Sequence, residues 1–177
     1  MVNVEQLDLA IKEFDVLKAE ELIEEDLKNN QNDIELWLKL SVTELCVPIV
    51  DYTKSLDCIK RIYKIDKDNL YALIMECCIY QFHLGAINEQ LYSRLNKIKN
   101  YNKEIGSIIK YIMSWYYGEG DIKSTISLLE QSIRLCDRYV SNYEKLGRIY
   151  LNQENIVNGN MELFCTSILP FTVGKVI

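Results

Sequence analysis

Cys77, Cys78 and His83 are the residues of this chain whose types and closeness could do chemistry, either as metal ligands or as a thiol nucleophile with an imidazole base. Their spacing speaks against it. Cys78 and His83 are five residues apart, and at about 100° per residue they fall roughly 140° apart around a helix. His83 is also the single histidine of the chain, so a multi-histidine site is out of reach. The two cysteines are expected as buried or groove-lining packing residues, because free cysteine is among the most buried residue types. The run Glu20-Glu21-x-x-Glu24-Glu25-Asp26 could be an acidic docking patch. Leu22, Ile23 and Leu27 interleave with it, so the acids are expected on the solvated side of an amphipathic helix. Gly118-x-Gly120 is too short to cradle a phosphate and is expected as a turn. No carboxylate pair stands out by its surroundings. The expectation is a protein with no catalytic residues, no metal site and no cofactor.

The elements that must carry these residues are helices. Only two prolines and seven glycines interrupt 177 residues, which favours helices over a sandwich or barrel. Half the residues are apolar and a quarter charged, as in a globular domain. The net charge of −6 argues against nucleic acid as the main partner and against an anionic membrane surface. The longest weakly charged apolar stretch, Tyr71 to Phe82, is too short to span a bilayer, so no membrane insertion is expected. Six cysteines without framework spacing, and a start without a secretory pattern, point to reduced thiols and a cytoplasmic location.

One pattern is written twice. Ile109, Ile112, Met113, Tyr116 and Thr125 recur 34 residues later as Tyr143, Leu146, Gly147, Tyr150 and Gly159. A constant offset of that size marks a helical repeat array. Further back the period loosens to about 36, through Trp37, Leu73 and Ile109, and through Asn32-Asp33 and Asp68-Asn69, each pair placed to cap a helix. The spacing predicts five helical hairpins in one domain over 1–177, with approximate repeats 1–33, 34–69, 70–105, 106–139 and 140–173. Within them, Pro48 is expected to open the second helix of the second hairpin, and Leu91, Leu95 and Ile98 to line the return helix of the third. Tyr80, Tyr116, Tyr143 and Tyr150 fall at core spacing. Tyr71 and Tyr117 are the aromatics expected to be open to a ligand.

At these residues the chain resembles the tetratricopeptide repeat family. Tyr143-x-x-Leu146-Gly147-x-x-Tyr150 matches that family's large–Leu–Gly–Tyr first helix, and Gly120-Asp121 its turn. Ile65-Asp66-Lys67-Asp68-Asn69 resembles its hairpin ending, with Lys67 where proline is common. The resemblance is best over 106–173, good over 33–69 and weakest over 1–32. It implies an all-α, right-handed α-solenoid of about five antiparallel hairpins. It also implies a non-enzymatic adaptor, chaperone or regulator that binds a protein or peptide segment in a concave groove.

The resemblance places first-helix residues not used for packing in that groove: Leu38, Val42 and Leu45, then Ile74, Cys78 and Gln81, then Lys110, Ser114 and Tyr117, then Glu144, Arg148 and Asn152. Its first half is apolar and its second half polar and mixed in charge. The carboxylate clamp of some family members is not reproduced, because Ser114 stands where asparagine is wanted and Ser141 and Glu144 add no bases. The C-terminal end offers another expectation. Met161, Leu163, Phe164, Ile168 and Leu169 make the last helix apolar on more than one side, before the tail Pro170–Ile177. Either the tail covers this helix or the end is an oligomerisation surface of an assembly protein.

Overall fold

The computed structural model describes residues 4–99, 101–117 and 120–152. Among these residues there are nine helices and no strand: α1 (Val4–Lys12), α2 (Val16–Asn29), α3 (Ile34–Thr43), α4 (Tyr52–Ile65), α5 (Leu70–Phe82), α6 (Glu89–Lys97), α7 (Lys103–Tyr117), α8 (Ile122–Leu135) and α9 (Val140–Asn152). The second helix expected for the last hairpin, with Gly159, Leu163, Thr166 and Pro170, and the C-terminal tail lie outside the described residues.

The helices begin where side-chain caps satisfy their first backbone N–H groups. Asp33 accepts from Leu36 N at 3.1 Å and Asn69 from Ala72 N at 3.0 Å, so both Asn/Asp pairs of the 36-residue period cap as expected. The second helices α2, α4 and α8 share a tighter rule. Asp15, Asp51 and Asp121 cap them. Four residues after each cap comes a small buried residue, Ala19, Ser55 or Thr125, and the apolar pairs Leu22-Ile23, Cys58-Ile59 and Leu128-Leu129 follow at helical spacing. Each helix therefore starts and buries its stripe in one fixed register.

Pro48 does not open α4. That helix starts at Tyr52, and Pro48 sits in the connection before it, after a cis peptide bond with Val47. The connection turns at Val50, whose φ of 51° is left-handed, and Asp51 N then donates to Glu44 O at 2.7 Å. Ile98 likewise falls just beyond α6, whose buried residues are Leu91 and Leu95.

The helices form two compact units, residues 1–94 and 95–177, with the boundary inside α6. In the first unit, Leu7 and Ala10 of α1 meet Leu22, Ile23 and Leu27 of α2 and Leu36 and Leu40 of α3 in one buried cluster. A neighbouring cluster joins Ile59 and Ile62 of α4 to Ala72 and Ile79 of α5. In the second unit, Ile109, Ile112 and Met113 of α7 are buried as the repeat predicts.

Small hydroxyl residues bring the paired helices together. Ser41 and Ser55 hold α3 against α4, with Oγ atoms 2.8 Å apart and Ser55 Oγ donating to Ser41 O at 2.7 Å. Ser107 and Ser132 repeat the arrangement between α7 and α8, at 2.8 Å and 2.7 Å. Two turns along that hairpin, Thr125 Oγ1 donates to Ser114 O at 3.3 Å. Larger side chains at these positions would force the helices apart.

Candidate functional site

The first helices decide what each unit can present. On α3, Leu38 and Val42 are half-buried, as is Leu45 just beyond the helix end, and Leu38 and Leu45 pack on the α4–α5 cluster. On α5, Cys78 and Gln81 are half-buried, whereas Ile74 is buried. In the second unit Lys110 and Tyr117 are half-buried on α7, and Glu144, Arg148 and Asn152 are exposed on α9.

Two expected groove residues are therefore not surface. Ile74 belongs to the core, and Ser114 is fully buried in the α7–α8 contact, donating to Tyr111 O at 2.6 Å. Tyr117 is half-buried, and its ring meets that of Tyr116 edge-on at 5.6 Å. Tyr71 does stand 53% exposed. On α9, Arg148 and Glu144 pair with each other, one helical turn apart.

The cysteine–histidine constellation dissolves in the structure. Burial pushes the Cys78 thiol up to about 12 and holds Cys77 well above its ordinary value. Both are protonated at neutral pH, which removes the thiolate that nucleophilic chemistry needs. His83 caps the end of α5 and stacks on Tyr52 at 4.5 Å, joining the start of α4 to the end of α5.

The acidic run is engaged rather than merely solvated. Lys54 of α4 reaches Glu20 and Glu24 of α2, and Glu44 just after α3; the Glu24 and Glu44 contacts are 2.7 Å each. Glu44 is fully buried, and its pKa is raised by burial, against the opposing pull of Lys54. Burial alone would lower the Lys54 pKa, but the three carboxylates together raise it. The sequence gives one local hint, Glu20 and Glu24 one turn apart; Glu44 and Lys54 reach them only through the fold. The three carboxylates lie close enough to suit a metal ion. The Lys54 ammonium already occupies their centre, so a cation would have to displace it.

Two further polar knots hold helices together. Glu76 of α5 accepts from Tyr63 of α4 at 2.7 Å and from Arg94 of α6 at 3.2 Å, while Arg94 lies 4.8 Å from the Tyr63 ring centre. In the second unit, Lys145 of α9 lies 3.7 Å above the Trp115 ring of α7 and donates to Ser114 Oγ at 3.0 Å. Burial lowers its pKa to about 7.

Comparison with known proteins supports the fold. No family model matches the chain, and no curated protein matches its sequence. Solved structures of MamA, a helical-repeat protein, do match. One crystal structure of MamA superposes with a TM-score of 0.63 at 16% identity, covering 92% of this chain and 86% of that one. MamA from Desulfovibrio magneticus RS-1, residues 41 to its end, gives 0.64 at 11% identity, covering 91% and 88%. The chain is thus an all-α protein with a helical-repeat solenoid fold. Among the described residues no helix is long and apolar enough to cross a membrane.

Proposed function

We propose that the protein is a non-enzymatic interaction module that binds a protein or peptide segment on the first-helix side of its hairpins. The observation that carries this reading is the division of labour among the helices. Second helices spend their buried stripe on packing, while α3 and α5 leave Val42, Cys78 and Gln81 half-open beside the apolar Leu38 and Leu45. Such a surface offers apolar anchoring with an adjoining polar group, which suits an extended or helical segment. In the second unit Lys110, Glu144, Arg148 and Asn152 offer charge and hydrogen bonds instead. Ile74 and Ser114 support the surface from beneath rather than touching the ligand.

The test is site-specific photo-cross-linking. A photoreactive residue at Val42 or Gln81 should trap the partner, and one at the exposed Lys60 of α4 should not. Equal yields from all three positions would contradict the proposal.

A further inference from the structure

The second helices of the first unit leave a cleft that the repeat plan does not require. It has a volume of ≈ 870 Å³ and runs between α2 and α4, over α3. Its floor is apolar: Leu27, Leu40 and Cys58 are buried there, and Trp37 is half-buried with its Nε1 tied to Gln31 O at 2.8 Å. The α4 wall, from Lys54 to Ile65, is roughly 16 Å long at helical rise, room for about five extended residues.

Charge distinguishes this cleft from the rest of the molecule. The chain is acidic overall, with net charge −6, yet three exposed cations stand on the rim: Lys28 on one wall, Arg61 and Lys64 on the other. The two acids of the rim are already paired, Glu24 with Lys54 and Asp57 with Lys60. Lys28, Arg61 and Lys64 have no carboxylate within ion-pair distance among the described residues. An apolar floor between unpaired cations is complementary to a segment of opposite pattern.

We propose that this cleft docks a short acidic protein segment carrying one bulky apolar side chain. The apolar side chain rests on the half-buried Trp37 ring and the exposed Ile65, above the buried Leu27 and Leu40, and flanking carboxylates meet Lys28 on one side and Arg61 and Lys64 on the other. Nucleic acid fits less well, because three cations around an apolar floor follow no phosphate backbone. The site is separate from the first-helix face around Val42 and Gln81, so either can fail without the other.

The experiment is fluorescence anisotropy with the full chain and a labelled Asp-Glu-Glu-Phe-Glu-Glu peptide. Saturable binding that weakens with salt is expected. The double substitution Arg61→Glu and Lys64→Glu, on exposed positions, should weaken it at least about tenfold. Lys28→Glu, on the opposite wall, provides an independent test and should also weaken it. Replacing the peptide's phenylalanine with serine should do the same, and Trp37 emission should change only with the intact peptide. Absence of saturable binding, affinity unchanged in both charge-reversal variants, or tighter binding of a single-stranded oligonucleotide would overturn the proposal.

Discussion

Glu44 and Lys54 form an ion pair at 2.7 Å across the α3–α4 connection, with the carboxylate fully buried and the lysine bridging onward to α2. The pair makes a polar pin through three helices. Removing one partner should therefore cost more than removing both. Lys54→Met leaves the Glu44 charge buried and unpaired, and should lower unfolding free energy by about 3–5 kcal/mol. Glu44→Gln combined with Lys54→Met should recover part of that loss. Urea unfolding of the three proteins checks it; a double variant no more stable than Lys54→Met would contradict the pin.

The serine pairs predict a size limit. Ser132 is fully buried and hydrogen-bonded to Ser107, so Ser132→Ala should cost about 1 kcal/mol. Ser132→Leu should cost more, about 1–3 kcal/mol or above, because the α7–α8 contact has no room for it. Thermal unfolding of both variants orders the two effects, and an equal or reversed order would refute close approach.

The thiols of Cys58 and Cys78 are pushed up to about 12, Cys58 by burial first and then by the Glu44 charge. Relative to a thiol at its usual value near 9, that leaves about a thousandfold less thiolate at pH 8. Alkylation followed by peptide mass spectrometry should find both positions slow in the native protein and fast in urea. Rapid native labelling of Cys78 would contradict its raised pKa.

Lys145 gives a pH dependence. Its folded pKa lies below its unfolded value, at about 7 against 10.5. Between those values the unfolded chain binds a proton that the folded one resists. Stability therefore rises as pH climbs from about 7 towards 10.5, and falls on the way back down. Partial exposure screens the effect, and the Trp115 face, which favours the charged form, offsets some of it. The pH profile of the thermal midpoint should be flatter in Lys145→Met than in wild type. Parallel profiles would show that the lysine is not desolvated.

The fold was legible where local rules govern it. Asp33, Asn69 and Asp121 announce their helices because an N-cap is a four-residue event, and the buried stripes follow from helical spacing alone. Register within a first helix was less legible. Ser114 and Ile74 read as unused positions, but the hydroxyl of a serine suits a tight helix contact, and α5 is apolar all round, so its spacing does not single out the open side. Pro48 misled because proline serves connections as well as helix starts. The Lys54 cluster was invisible for another reason. Its partners come from three separated segments, and only the packed hairpins bring them together. The cleft above Trp37 has the same origin, and no periodicity in the sequence marks it.

Site-specific photo-cross-linking from Val42 and Gln81, with Lys60 as the comparison, tests the central claim most directly. The account predicts one protein trapped from both first-helix positions and not from Lys60, and loss of at least about tenfold in that partner's affinity for Val42→Glu with Gln81→Glu in a purified pair. Cross-links that favour Lys60, or undiminished affinity in the double variant, would contradict it.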